Sequence, residues 1–425
     1  MFAPIWQAYR DHLIFAAALA AYACVAGLCL VASATWAGLL AAPLAGAAAF
    51  LLVPTLRRFL PVFAMLALGA LALLAGSELL FRARYFGADA IRAFRDYSPL
   101  PVTALPGFTT PSDDPELGYL FTPHASARVN GKTWQINGDG FRDGPFAQDK
   151  APGVFRVLVL GDSFVVGAGV ALEERFSSQL ASLLAGPGDP PVEVYNLGIA
   201  GVSLRELAHV IETRGTRYRA DLILVGLRAS QLHEAAANGA PAGDAAQAAR
   251  PRAANFSFPR RYAFTLNVVR EPVEAGLRRV TALLPGARPS RNGSTPRDGD
   301  GRPIEEFLRR SAAYAAQEQV PVVVVALRKM EFASDLGLRA KLAERALGGD
   351  ASRRNDHEEL KRLAAQAGVA FVDTYQAFGP DAKRSDYIVY PGDGHPNASG
   401  HRRYAESIVS WLRANGYPPR RAAGS

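Results

Sequence analysis

The sequence predicts an α/β protein, a parallel sheet covered by helices on both faces, preceded by about three membrane-spanning helices. Three observations predict it. The first eighty or so positions are almost continuously apolar. Short β-rich apolar runs then alternate with helical stretches through the second half of the chain. The first of those runs ends in Gly161-Asp162-Ser163, turn chemistry placed where a strand gives way to a helix.

The membrane region comes first. No charged residue occurs from Leu13 to Leu56, a run about twice the ~20 residues that one helix needs to cross the hydrocarbon core. Ser33-Ala34-Thr35-Trp36 breaks it, so two spans are expected near 13–33 and 37–55, and Phe59 to Ser77 makes a third with Glu78 at its far end. Residues 1–84 are thus the transmembrane region. Arg10 precedes the first span and Arg57-Arg58 separate the second from the third, whereas no Lys or Arg lies between the first two. The positive-inside rule then puts the N-terminus in the cytoplasm and everything after about residue 82 outside, with Arg82 and Arg84 counting against it. The excess of Arg over Lys and the abundance of Ala match a GC-rich bacterial genome. The expected location is therefore a bacterial inner membrane, multi-pass, with a periplasmic soluble domain.

Residues 85–150 are rich in Pro and Gly turns and read as an irregular lead-in, with short strands around Tyr119–Phe121 and Lys132–Ile136. From 151 to 418 the alternation is regular. Strands are expected at Phe155–Leu160, Val192–Asn196, Leu222–Gly226, Val320–Leu327 and Val369–Asp373. Helices are expected at Glu173–Leu184, Leu204–Thr213, Ile304–Gln317, His357–Ala367 and Gly400–Ala414. A long insertion, about 230–305, separates the third and fourth strands, and its end has the composition of a loop.

Several function classes are excluded. The formal charge of +8 comes with no basic run carrying interleaved aromatics, so nucleic acid is not expected as a partner. Both cysteines, Cys24 and Cys29, fall in the first apolar run, leaving the soluble part without a disulfide or thiolate site. No histidine and carboxylate cluster has metal-ligand spacing, and Gly167-Ala-Gly169 is followed by no Gly-Lys-Ser/Thr, so neither metal nor nucleotide cofactor is expected.

Two segments can carry chemistry. A serine at a strand-to-helix turn, as Ser163 is, lies exposed at the carboxyl edge of the sheet, near backbone N–H groups that can stabilise an oxyanion. The same tripeptide also makes a plain turn or helix cap. Near the C-terminus, Asp393-Gly394-His395-Pro396-Asn397 supplies an imidazole and, two residues before it, a carboxylate that can fix its tautomer. Alternatively His395 is a solvated loop histidine and Asp393 caps a turn. His401, in or near the last helix, reads as structural, and His357, beside Asp356, as sitting on a solvated helix start.

Taken together, Gly161-Asp162-Ser163, Asn196-Leu-Gly-Ile-Ala-Gly201 and Asp393-Gly-His395-Pro-Asn397 resemble the blocks of the SGNH (GDSL-like) hydrolases, in the same order and spacing. Upstream, Asn137-Gly-Asp-Gly-Phe141-Arg142 is similar to a segment that often precedes the serine strand in membrane-linked members. The resemblance spans about residues 130–415. It implies a flavodoxin-like three-layer α/β/α fold of strand order 2-1-3-4-5. It also implies a triad of Ser163 as nucleophile, His395 as base and Asp393 as its orienter. The oxyanion hole would combine the Ser163 N–H, the Gly201 N–H (Gly198 being the alternative) and a side chain after the third strand.

The chain departs from the family pattern twice. Members usually show Asn-Asp after the third strand, where this sequence has Gly226-Leu-Arg228-Ala-Ser230-Gln231; Ser230 is the expected substitute donor, with Gln231 and Arg228 as alternatives. Asp393 and His395 are separated by one residue, as in SGNH-like acetyltransferases of alginate biosynthesis, rather than by two. The resemblance implies an esterase or O-acyltransferase working on acyl, chiefly acetyl, esters of cell-envelope or exported polysaccharide. The substituted oxyanion donor also leaves room for a catalytically silent module that binds glycan or scaffolds a membrane-bound polysaccharide-modification complex. The membrane helices would anchor the domain or dock on an acyl-exporting membrane protein.

Overall fold

The computed structural model describes residues 10–19, 48, 52–86, 105, 107–129, 132–234, 303–328, 349–378, 388–390 and 393–419. The chain divides into two units, one of Met1–Pro101 with Arg252–Pro289 and one of Val102–Pro251 with Ser290–Ser425. The expected insertion at 230–305 lies almost wholly outside the described residues.

In the first unit, residues 10–19 are helical, followed by α1 (Pro54–Arg57) and α2 (Leu60–Phe86). Among the described residues one helix is long and apolar enough to cross a membrane, Leu60–Leu80, rather than the three expected. The spans expected near 13–33 and 37–55 lie largely outside the described residues. The third expected span differs at its end: α2 runs through Glu78, Arg82 and Arg84 to Phe86, because nothing in Ser77–Phe86 is a helix breaker. Its 27 residues rise about 40 Å, enough for the hydrocarbon core and a turn or two beyond. The helix at 10–19 packs beside the start of α2, with Phe15 stacked on Phe59 at 4.6 Å and Ala18, Leu19, Leu56, Leu60 and Phe63 in one apolar cluster. Asp11, buried, pairs with Arg58.

The second unit begins with two antiparallel hairpins where an irregular lead-in with short strands around Tyr119–Phe121 and Lys132–Ile136 was expected; both strands are present, each with a partner the sequence did not indicate. The hairpins are β1 (Thr109–Pro111) with β2 (Tyr119–Phe121), and β3 (Ser126–Val129) with β4 (Lys132–Gln135). Their inward side chains, Phe108, Phe121 and Trp134, make edge-to-face ring contacts at 5.9–6.3 Å. This cluster is closed by Val166 and Ala200, so the hairpins pack against the loops of the main sheet.

That sheet contains β5 (Phe155–Gly161), β6 (Val192–Asn196), β7 (Leu222–Leu227), β8 (Val322–Ala326) and β9 (Ala370–Asp373), all parallel, in the spatial order β6-β5-β7-β8-β9. Numbered by their order in the sheet's own chain, this is 2-1-3-4-5, the expected order. The five strands lie within a residue or two of the runs read from the sequence. The central ones are apolar throughout because both faces are covered. On one face Leu158, Leu160, Ile223, Val225 and Val324 meet α5 (Leu204–Arg217), α7 (Pro303–Glu318) and α8 (Gly349–Gln366) through Leu207, Val210, Ile211, Phe307 and Leu360. On the other, Val157, Val159, Leu224 and Val325 meet α4 (Phe176–Leu184) and α9 (Ala398–Ala414) through Phe176, Leu180, Tyr404 and Ile408. Between them lie the four-residue helices α3 (Ser163–Val166) and α6 (Gln231–Glu234), and a last hairpin, β10 (Ile388–Tyr390) with β11 (Asp393–Pro396). The carboxyl edge of the sheet, where ligands of open α/β sheets bind, therefore carries the turns after β5, β6 and β7.

Candidate active site

The turn after β5 is built by two facing glycines. Gly161 pairs with Gly226 across the β5–β7 ladder. A Cβ on Gly161 would lie 2.4 Å from Val165 Cγ2 and 2.7 Å from the Gly226 carbonyl oxygen, and its φ of +154° suits glycine. The missing side chains let Val165 descend onto the strands, so the chain reverses at once into α3. Asp162 caps that helix, its Oδ1 accepting from the Phe164 N–H at 3.0 Å. Ser163 is the first helical residue, a position whose N–H has no intrahelical acceptor.

His395 arrives on β11, and Asn397 then caps α9 by accepting from the Gly400 N–H at 3.0 Å. The imidazole Nε2 lies 2.7 Å from Ser163 Oγ, and its ring sits 5.1 Å from that of Phe164. Two residues 232 apart in the chain are thus brought into hydrogen-bond contact. Asp393 is on the same strand, its backbone opposite Tyr390; its side chain lies outside the description.

Of the two oxyanion glycines considered, Gly198 is committed elsewhere: its N–H donates to Asn196 Oδ1 at 2.9 Å. Asn196 in turn donates to the Val165 carbonyl and to Ser177 Oγ, both at 2.7 Å, so it ties β6 to α3 and α4. Gly201 is exposed, has φ +75°, and its N–H meets no acceptor among the described residues. The Ile199 N–H donates to the Gly161 carbonyl at 2.9 Å, which fixes the Gly201 loop to the base of the serine turn.

After β7, the expected substitute donor Ser230 is engaged. Its Oγ accepts from Arg228 Nη1 at 3.0 Å, and the same guanidinium holds Asp162 Oδ2 through Nε at 2.8 Å and Nη2 at 2.7 Å. Gln231 is buried, and its Oε1 accepts from the Arg228 N–H at 2.8 Å, which ties the start of α6 back to the turn after β7. Arg228 also lies 5.3 Å from the Phe164 ring centroid, so the cation sits beside the serine turn. The sequence names Arg228 only as an alternative; its pairing with Asp162 joins residues 66 apart and leaves no local signal.

The segment Asn137–Arg142 acts on the same turn. Asn137 Oδ1 accepts from the N–H groups of Asp139 and Phe141, both at 3.0 Å, and turns the chain. This delivers Arg142, 1% exposed, to the carbonyls of Val166 (3.2 Å) and Gly167 (2.6 Å), which end α3, and of Val170 (2.7 Å) just beyond it. Its guanidinium stacks over Trp134 at 4.1 Å. Burial, helped by the charge of Arg175, lowers its pKa to about 9. Arg175 donates to the Arg142 carbonyl and pairs with Asp143 at 2.8 Å; Asp143 also takes the Asn196 N–H at 2.7 Å.

The other two histidines singled out from the sequence lie apart from this pair. His401 is fully buried, accepts from the Phe176 N–H at 3.2 Å and stacks on the Phe176 ring. Burial, then the charges of Arg175 and Arg142, lowers its pKa to about 3, so it is a neutral core residue. His357 is not on a solvated helix start. Because α8 begins at Gly349, His357 falls inside the helix, buried, stacked on Tyr375 at 3.8 Å and 3.2 Å from Asp373 Oδ2. Among the described residues no group of three His, Cys, Asp or Glu could hold a metal ion.

No family model matches the chain, and no curated protein matches it. Solved structures do. A member of the lipolytic G-D-S-L family from Veillonella parvula is similar at 15% identity over 61% of this chain and 98% of its own, with TM-score 0.34. An acetylxylan esterase from Geobacillus stearothermophilus, solved as a catalytic mutant, is similar at 14% identity over 64% and 97%, with TM-score 0.33. An α/β-hydrolase enzyme from the metagenome of Lake Arreo, Spain, is similar at 15% identity over 64% and 98%, with TM-score 0.36. The fold assignment rests on the strand order and the helical layers, not on these likenesses.

Proposed function

We propose that the chain is a serine-dependent esterase or O-acyltransferase of the SGNH type, with Ser163 as nucleophile and His395 as general base. The observation that carries this reading is the 2.7 Å contact between His395 Nε2 and Ser163 Oγ at the carboxyl edge of the sheet. With the imidazole neutral and its proton on Nδ1, Nε2 accepts the Ser163 proton as Oγ attacks an ester carbonyl. The tetrahedral oxyanion that forms is stabilised by the N–H groups of Ser163 and Gly201. The imidazolium then returns its proton to the departing alkoxide, leaving an acyl-enzyme on Ser163. Water or a sugar hydroxyl, deprotonated by the same imidazole, takes the acyl group. Asp393 is assigned to orient His395 and stabilise its cation. Arg228 and Ser230 are the side chains available for the third oxyanion position, a cation with its hydroxyl neighbour instead of a neutral amide.

The substrate proposed is an acyl ester, most simply acetyl, on a cell-envelope or exported polysaccharide. A soluble unit carried on the outer side of the cytoplasmic membrane, as proposed for this chain, meets such glycans. The contacts of Phe15 with Phe59 and of Asp11 with Arg58 support the topology behind it. Proximity of the chain before residue 13 to the Arg57-Arg58 turn is what an even number of crossings between them requires. An acyl-exporting membrane protein is the proposed partner if transfer rather than hydrolysis is the reaction.

The test is acyl-enzyme trapping. Full-length protein in mild detergent, quenched in acid during turnover of p-nitrophenyl acetate, should carry 42 Da (one acetyl group, about that mass) on the peptide containing Ser163. Ser163→Ala should carry none and should not turn over. A Ser163→Ala protein with wild-type turnover would sink the assignment. The engagement of Ser230 by Arg228 favours one other reading, a glycan-binding module without turnover. That reading predicts saccharide binding by calorimetry that survives Ser163→Ala, with no acetyl adduct on the wild type.

A further inference from the structure

The lead-in hairpins reach the proposed site at one point. Tyr119, the first residue of β2, donates its hydroxyl hydrogen to the Ala200 carbonyl oxygen. That carbonyl and the Gly201 N–H belong to the same peptide unit. A trans peptide is planar, and its C=O and N–H point in opposite directions. A donor that fixes the carbonyl from the hairpin side therefore aims the N–H away from the hairpin. Gly201 itself cannot fix this plane, because it has no side chain and adopts φ +75°.

We propose that Tyr119 is a positioning residue of the oxyanion hole, holding the Ala200–Gly201 peptide so that the Gly201 N–H faces the carbonyl oxygen of the acyl group on Ser163. The inference rests on the reading of Ser163 and Gly201 given above. Three features make the brace rigid. Position a Cβ on Gly201 and it would lie 3.4 Å from the Tyr119 Oη, so the hydroxyl sits directly against the loop. The Gly118 N–H, one residue before Tyr119, donates to Glu206 Oε1 at 2.9 Å, while Glu206 Oε2 takes the Ser203 N–H at 2.9 Å. One carboxylate thus ties the strand of Tyr119 to the loop that Tyr119 braces. On the far side of that loop, the Ile199 N–H is held by the Gly161 carbonyl at 2.9 Å. Burial, and then the Glu206 charge, push the Tyr119 phenol pKa well above its ordinary value, so the hydroxyl remains a donor across the working pH range. A hydrogen bond accepted at the carbonyl also polarises the peptide and strengthens its N–H as a donor.

The experiment compares Tyr119→Phe with wild type in full-length protein, using p-nitrophenyl acetate turnover and inhibition by phenylboronic acid, whose tetrahedral adduct puts an oxygen in the oxyanion position. Removing an oxyanion donor outright costs about 10²–10³ in kcat, so a donor left in place but unaimed should cost about tenfold. Expected is a kcat about tenfold lower with KM within about twofold, and boronate affinity weakened by the same factor as kcat/KM. Tyr195→Phe is the control. Its phenol accepts from the Ala147 N–H at 3.1 Å on the same side of the sheet, and its loss should lower the melting temperature without touching kcat. A Tyr119→Phe protein with wild-type kcat and boronate affinity overturns the proposal. So does one whose loss appears in KM and melting temperature while boronate affinity holds. If Ser163→Ala keeps its turnover, the reading of the site falls instead, and the two failures are told apart.

Discussion

Replacing Arg142 by alanine removes a side chain that touches no substrate, yet it should be among the most damaging single changes in the soluble unit. The guanidinium is 1% exposed and donates to three carbonyl oxygens, those of Val166, Gly167 and Val170. Hydrogen bonds to charged groups contribute about 1.5–3 kcal/mol each, so three sum to roughly 4–9 kcal/mol. Against this, the alanine protein no longer buries a guanidinium, which returns several kcal/mol, while the stack on Trp134 loses about 1–2 kcal/mol. The balance is a destabilisation of about 3–5 kcal/mol, or roughly 10 °C in melting temperature for a unit of this size. Lysine should fall between, because one ammonium cannot satisfy three carbonyls in different directions. The assay is thermal unfolding of full-length protein in detergent at one fixed scan rate, followed by Trp fluorescence, since Arg142 lies 4.1 Å from the Trp134 ring centroid. Turnover should fall in parallel below the melting point, because α3, which carries Ser163, has lost the anchor at its C-terminal end. An alanine variant melting within about 2 °C of wild type would refute the reasoning.

Gly161→Ala should cost about 2–4 kcal/mol and most of the turnover, because its Cβ would meet Val165 Cγ2 at 2.4 Å and the Gly226 oxygen at 2.7 Å; urea unfolding and ester turnover check both. Arg228→Gln strips the buried Asp162 of its cation. It should destabilise by about 3–5 kcal/mol, with Asp162→Asn in the same chain recovering part of the loss in a double-mutant cycle. His401 predicts a pH dependence of stability. Its folded pKa is about 3 and its unfolded value about 6.5, so between them the unfolded state binds the extra proton. Its stability contribution is full above pH 6.5 and falls toward pH 3, by at most about 1.4 kcal/mol per pH unit. His401→Asn keeps an acceptor for the Phe176 N–H and should flatten the difference in denaturant midpoint between pH 7.5 and 5.

The sheet was legible because its strands are buried on both faces, which forces continuous apolar runs such as Val157–Leu160 and Val322–Val325. Ser163 and His395 were legible as candidates because glycine and proline mark the turns that hold them. What the sequence hid depends on contacts between distant residues. His357 read as a solvated helix start because the polar stretch before it gives no sign that α8 begins at Gly349, or that Asp373 from β9 waits opposite. Ser230 was legible as a donor candidate from its hydroxyl after the third strand; that its Oγ also accepts from Arg228 follows only from where Asp162 lies. In the lead-in the strands at Tyr119–Phe121 and Lys132–Gln135 were legible, whereas their partners Thr109–Pro111 and Ser126–Val129 were not, because three- and four-residue strands carry almost no periodicity. The function of the lead-in, bringing Tyr119 and Arg142 to the loops around Ser163, resides wholly in tertiary contacts.

The central claim is that His395 activates Ser163, and the most direct test is the rate at which a fluorophosphonate probe labels the full-length protein. The account predicts labelling of wild type at the Ser163 peptide, none in Ser163→Ala, and labelling of His395→Ala slower by about 10²–10⁴, the range a general base supplies. A folded wild-type protein that the probe does not label, or a His395→Ala protein labelled at the wild-type rate, would contradict it.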